Sequence, residues 1–261
     1  MRAMSIASTG MLAQQLNVEV ISNNLANMNT TGYKRQRAEF QDLLYQNIER
    51  VGAASSDAGT VVPSGIQIGV GVKTGSVYRI TDQGNLQSTE NSYDLAVQGR
   101  GYFRITLPSG QEAYTRAGAF SLSPEGQLVT ADGFTVAPGI TIPQEATDVI
   151  INPQGSVQVM LPGQTGPQTV GQLDLAIFFN EGGLEAIGDN LFLESAASGA
   201  PNTGTPGSTG FGTIMQGFLE TSNVNAVQEM TSLITAQRAY EMNAKVISTA
   251  DEMLAMTSKL R

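Results

Sequence analysis

The sequence predicts an α+β protein: a long amphipathic helix at each end of the chain and a mainly antiparallel β domain between them. Three observations carry this. Apolar residues recur every three then four positions near both termini, the spacing that keeps one helical stripe against a partner. Turn signals recur through the middle of the chain with no gap long enough for a helix. A glycine- and proline-rich stretch then leads back to the second helical segment.

The first stripe runs Met4, Ala7, Met11, Gln14, Val18, Ile21, Leu25. This helix is expected to stop near ANMNTTGY, because Thr30 and Thr31 form helix poorly and Gly32 can adopt the left-handed conformation that ends one. Between Arg2 and Lys34 the only charged residue is Glu19; amides and serines take the polar positions instead. A helix facing water normally carries a charged face. One apolar stripe does not offset the entropy of ordering so long a segment, so the helix is expected to order when neighbouring molecules pack several of its faces.

At the other end, Asn225 is a plausible N-cap with Gln228 as its capping-box partner. One stripe then runs Met230, Leu233, Gln237, Tyr240, Ala244, Ile247, Asp251, Leu254, and a second runs Ala239, Met242, Val246, Thr249, Met253, Met256, Leu260. Two stripes imply two partner surfaces. Glu241 and Lys245 are spaced for a favourable pair, and Lys259 and Arg261 suit the dipole at the helix end. The tail's methionines and Tyr240 read as packing residues, since methionine fills irregular gaps.

Between the helices, DQGN (82–85), GRG (99–101), PSG (108–110), PEG (124–126), ADG (131–133), PQG (153–155) and NEGG (180–183) separate short runs rich in β-branched and aromatic residues. That spacing predicts an antiparallel sandwich or barrel-like module. Residues 46–66 are expected to form a long loop or extended hairpin arm, and residues 195–213, uncharged and rich in small residues, a flexible linker. The expected division is a helical base (1–30 and 224–261), a connecting segment (31–90 and 205–223) and an outer β domain (91–204). No internal repeat is present.

Composition narrows the function. The chain has neither Cys nor His, which excludes Ser-His-Asp and Cys-His catalysis, disulfides and the usual zinc ligand sets. GVGVKTG (69–75) has the wrong spacing for a dinucleotide loop, and Asn29-Thr30-Thr31 matches a glycosylation acceptor only as a short pattern. Acidic residues such as Asp82, Glu90, Asp94 and Glu125 sit at turns without forming a glycosidase-like pair. No catalytic, cofactor-binding or metal site is expected. A net charge of −9 argues against nucleic acid, and no apolar run is long enough to insert in a membrane. Charged residues are 14% of the chain against roughly 25% typically, so amides and hydroxyls dominate a surface suited to protein contact. The start lacks the apolar core of a secretory signal, which alone would suggest the cytosol.

The stretch SNNLANMNTTGYKR (22–35) resembles the signature of bacterial flagellar axial proteins, the rod and hook subunits. SNVNAVQEMTSLITAQRAYEMNAKVISTADEMLAMTSKL (222–260) resembles the matching tail, and NSYDLAVQGRGYFRI and AYTRAGAFSLSPEGQLVTADGFTV resemble the family's central region. Within the family, the length and the segment ending PSGIQIGVGVK look like a distal-rod subunit; a proximal-rod subunit or hook protein is the alternative. Met28 stands where many relatives have a β-branched residue. The resemblance implies a non-enzymatic subunit that polymerises helically into a hollow drive shaft, with the terminal helices as an inner coiled-coil tube, the β domain outside, and residues 46–66 stiffening the rod. It implies unfolded export through the flagellar type III channel, which sets the cytosolic expectation aside. The implied partners are copies of itself, the proximal rod and hook proteins, the surrounding P-ring and L-ring, and the rod cap. Met4, Ala7, Met11, Val18, Ile21, Leu25, Met230, Leu233, Tyr240, Ala244, Ile247 and Leu254 are the expected subunit contacts. A secreted carbohydrate-active enzyme and a soluble binding module are the rival classes.

Overall fold

The computed structural model describes residues 2–48, 65–164 and 166–259. Helix α1 spans Arg2–Ala26 and helix α2 spans Ala226–Lys259, with short antiparallel strands between them. The described chain forms two compact units. One comprises residues 1–25, 36–78 and 225–261; the other comprises 26–35 and 79–224. The connecting segment expected at 31–90 and 205–223 is thus shared between them.

In the helical unit, Asn225 caps α2 as its residue type dictates. Its Oδ1 accepts from the backbone N–H of Val227 at 3.1 Å and Gln228 at 3.2 Å, satisfying two of the free donors at a helix start. A two-stranded ribbon, Gln36–Asp42 with Val72–Arg79, belongs to the same unit. Its first strand turns Ala38 and Phe40 inward and Arg37, Glu39 and Gln41 outward, the period of two that a half-buried strand requires. The ribbon continues through Tyr45–Asn47 against Gln67–Gly69, and Ile48 N–H donates to the Ile66 carbonyl at 2.9 Å. This is the stem of the hairpin arm expected at 46–66; most of that arm lies outside the described residues. Thr9 on α1 seats the ribbon, its Oγ1 accepting from Val72 N–H at 3.3 Å.

The second unit is a β lobe in which every strand pair is antiparallel. Its central strand, Tyr102–Thr106, pairs with Glu112–Thr115 along one edge. Its other edge is divided between Leu175–Ile177 and Thr135–Val136. A three-stranded sheet (Asp148–Ile151, Ser156–Met160, Gln168–Gln172) packs its inward residues Val149, Ile151, Val157 and Val159 into the same core. The predicted turns close as expected: Gly110 N–H donates to Leu107, Gly126 to Ser123, Gly133 to Thr130 and Gly155 to Asn152.

Residues 195–213 are not the flexible linker that their composition suggests. Asn202–Gly204 pairs with Leu175–Ile177, Pro206 is buried, and Ser195 Oγ donates to the Gly183 carbonyl at 2.6 Å. Small residues here permit close backbone approach, as where a Cβ on Gly204 would stand 2.7 Å from the Phe211 ring. Tertiary contact overrides the composition.

Alternation along Tyr102–Thr106 divides the lobe's apolar residues. Phe103 and Ile105 enter the main core, where Phe103 meets Phe120 edge-on at 5.2 Å. Tyr102 joins a smaller cluster with Tyr114, Ala176, Phe178, Leu184 and Phe192. The Tyr102 hydroxyl donates to Glu181 Oε2 at 3.2 Å and the Tyr114 hydroxyl to Glu112 Oε2 at 3.3 Å. Burial, reinforced by the facing carboxylates, raises both phenols, Tyr114 to about 12 from an ordinary 10.0. In the unfolded chain both ionise near 10, so native stability is intact below pH 10 and falls as pH rises from 10 toward 12. Tyr114→Phe is expected to reduce that alkaline loss by roughly 1–2 kcal/mol, read from urea midpoints at pH 9 and pH 11.

Candidate assembly interface

Helices α1 and α2 touch through polar and small residues. The buried Asn24 donates from Nδ2 to Glu229 Oε2 at 3.2 Å. The same side chain serves the ribbon: Nδ2 donates to the Gln36 carbonyl at 2.8 Å, and Oδ1 accepts from Gln36 N–H at 2.8 Å. One amide therefore satisfies both backbone groups of a residue that begins a strand. Farther along, Gly10 lies against Asn243. Since Asn24 meets the start of α2 and Gly10 meets its middle, the helices run antiparallel.

The buried residues are Ala7, Ala13, Val20, Ile21 and Asn24 on α1, and Glu229, Ala236 and Ala250 on α2. On α2 the buried residues each stand one position before the first stripe read from the sequence. On α1, Ala7 and Ile21 are buried, whereas Met4, Met11, Val18 and Leu25 are half-buried. On α2, Leu233 and Ile247 are half-buried, whereas Met230, Tyr240, Ala244 and Leu254 are exposed. The second α2 stripe is exposed at Met242, Val246, Met253 and Met256, with Met242 at 64%. Val227 and Ile234 are also bare. So much uncovered apolar surface on one helix marks an interaction face.

Hydroxyls do not make that face polar. Thr231, Thr235, Thr249 and Thr257 each donate to the carbonyl four residues earlier, leaving their methyl groups available for packing.

The β lobe contains a charge cluster that the sequence reading missed. Glu220, 1% exposed, accepts from Lys34 Nζ at 2.6 Å and Gly84 N–H at 2.9 Å on one oxygen. Its other oxygen accepts from Arg116 Nε at 2.9 Å. Lys34 also donates to the Asp82 carbonyl at 2.8 Å, and Arg116 Nη1 to the carbonyls of Gly99 and Gly101 at 2.8 and 2.6 Å. Burial lowers the Lys34 ammonium below its ordinary 10.5, an effect that the adjacent Glu220 opposes. Around this cluster, Asn223 Oδ1 accepts from Arg35 N–H at 2.7 Å and its Nδ2 donates to the carbonyls of Ile80 and Asp82 at 2.9 Å. Gly32 N–H donates to the Glu220 carbonyl at 2.8 Å, and its φ of +69° is the left-handed conformation anticipated for it. The available signal was the lone charges Arg116 and Glu220 within otherwise uncharged stretches.

Among the described residues, no group of three or more His, Cys, Asp or Glu could hold a metal ion, and no helix is long and apolar enough to cross a membrane. Paired terminal helices that leave apolar residues uncovered define a subunit of a protein assembly.

Three family models match the chain: "Flagella basal body rod protein" over residues 4–34, "Flagellar hook protein FlgE/F/G D1 domain" over 96–159, and "Flagellar basal body rod FlgEFG protein C-terminal" over 215–260. The flagellar basal-body rod protein FlgG of Caulobacter vibrioides is 66% identical over all of both chains. That of Agrobacterium fabrum is 52% identical over 99% of each, and that of Bacillus subtilis 40% identical over 97% of each. The chain belongs to the flagellar basal-body rod protein FlgG family. It is accordingly a structural protein of the flagellar basal body, not an enzyme, and assembles into the basal-body polymer.

Removing a buried carboxylate between two cations leaves both charges without their shared partner, which costs on the order of 3–5 kcal/mol. Glu220→Ala is expected to lower the β lobe's unfolding midpoint more than Lys34→Met, because the latter leaves Glu220 its bonds to Arg116 and Gly84. Thermal unfolding of the two variants checks that order.

Proposed function

We propose that the chain forms the distal part of the basal-body rod, polymerising through its terminal helices into a rigid hollow shaft that carries motor torque to the hook. The observation that carries this reading is the exposed apolar surface of α2. An ordinary globular protein buries such a surface, and a subunit reserves it for its neighbours. Heterologous contacts between copies generate an open helical filament when the rotation does not close. The contacts assigned to the inner tube are Met4, Ala7, Met11, Val18, Ile21 and Leu25 with Met230, Leu233, Tyr240, Ala244, Ile247 and Leu254. Their half-buried or exposed state at most positions supports that assignment.

The family supports the remaining elements of the proposal. The shaft extends across the periplasm toward the outer membrane, meeting the proximal rod below and the hook above. The P-ring and L-ring surround it, and the rod cap attends its growth. Subunits reach the growing tip unfolded through the flagellar type III channel, a route suited to terminal helices with few intramolecular anchors.

Met230→Asp, at an exposed position, or Ile247→Asp is expected to abolish polymerisation while the β lobe keeps its unfolding midpoint. Sedimentation and electron microscopy of the assembled material, beside thermal unfolding of the soluble chain, provide the measurement. Wild-type filament yield from both variants would overturn the assignment.

A further inference from the structure

The two contacts between α1 and α2 define a register. Asn24 and Gly10 stand two heptads apart on α1, and their partners Glu229 and Asn243 stand two heptads apart on α2. Continued at the same spacing, this alignment sets Asn17 level with Ala236 and Ala3 level with Ala250. The residues along the line are largely alanine, glycine and asparagine. Shifting one helix by a heptad would exchange small residues for small residues, so apolar burial distinguishes the registers poorly.

The polar pair distinguishes them sharply. Asn24 and Glu229 are each only 1% exposed, and a buried polar group is tolerated where its partner stands opposite. A one-heptad shift would set Ala236 against Asn24 and remove the Asn24 amide from Glu229. Asn24 is also tied to both backbone groups of Gln36, which fixes α1 in position along the ribbon as well. Gly10 adds a steric element, since a Cβ there would come 2.9 Å from Asn243 Nδ2.

We infer that Asn24 and Glu229 are positioning residues that hold α1 on α2 in one register, and so determine which helix faces a second copy of the chain meets. The last clause rests on the proposed assembly through these helices; the lock itself does not. Met4, Met11, Val18 and Leu25 immediately follow Ala3, Gly10, Asn17 and Asn24, while Met230 and Ala244 immediately follow Glu229 and Asn243. The apolar stripes therefore lie beside the seam on both helices. A heptad slip keeps each stripe intact but displaces one relative to the other by about 10.5 Å, so a neighbour would meet a mismatched pair.

The chain has no cysteine, so Ser8→Cys with Thr231→Cys, both at exposed positions, places two spin labels uniquely. In the locked register Thr231 is level with Ser22, about 21 Å along the axis from Ser8. Electron–electron resonance on the full chain should give one narrow distance distribution. Asn24→Ala and Glu229→Ala should each add a population with its axial separation displaced by about 10 Å. Glu229→Gln, which retains an acceptor for the Asn24 amide, should keep the single distribution. A broad distribution in the otherwise unaltered chain, or an unchanged narrow one in both alanine variants, overturns the lock. A narrow distribution in a chain that fails to polymerise counts instead against assembly through the helices, leaving the lock standing.

Discussion

Glu220 illustrates how a protein poor in charge uses the few charges it has. Its buried carboxylate is shared by a lysine that follows the first helix in sequence and an arginine from the middle of the β lobe. A backbone N–H from the segment near residue 84 completes the group. An ion pair exposed to water would contribute little here. Out of water, each of the three side chains is costly to leave alone, and that cost specifies the path of the chain. The segments containing Gly32, Asp82, Gly99, Arg116 and Asn223 are placed by bonds to this group or to its immediate neighbours. The surrounding carbonyls matter equally, since Lys34 and Arg116 each have donors beyond what one carboxylate can satisfy.

The helical unit follows a related logic with a single buried carboxylate among its described residues, that of Glu229. The contacts shown between its helices are polar and small, Asn24 with Glu229 and Gly10 with Asn243. Most of the large apolar residues of α2 are left exposed. That allocation is poor for a stable solitary helical hairpin, because most of the available apolar area remains in water. It is well suited to a subunit, where the small seam lets two helices approach and the large residues remain for neighbouring molecules. Threonine hydroxyls turned back onto α2 serve the same end by presenting methyl groups rather than unpaired donors.

Asn24 and Asn223 show why motif positions that look like featureless polar residues can be structurally demanding. Each side-chain amide bonds several backbone groups at once, Asn24 at Gln36 and Asn223 at Arg35, Ile80 and Asp82. An aspartate in either place could accept but not donate, and would leave a carbonyl without its partner.

Local physics made much of the architecture legible in the sequence. The heptad spacing gave both helices, Asn225 gave the start of α2, Gly32 gave the turn after α1, and the glycine-containing turns gave an antiparallel lobe. Each depends on residues close together in the chain, whose conformational preferences act over one or two turns. The resemblance of the terminal motifs to flagellar axial proteins was legible for the same reason, being written in continuous stretches. Tertiary structure alone decided the rest. Composition marked residues 195–213 as a linker, yet contact with Leu175–Ile177 and a buried Pro206 fold them into the lobe. Helical periodicity indicated an apolar stripe on α2, but the residues that folding buries there, Glu229, Ala236 and Ala250, each stand one position before it. Lys34, Arg116 and Glu220 are far apart in the chain, and only folding brings them within hydrogen-bonding distance, because burial makes each the remedy for the others' desolvation.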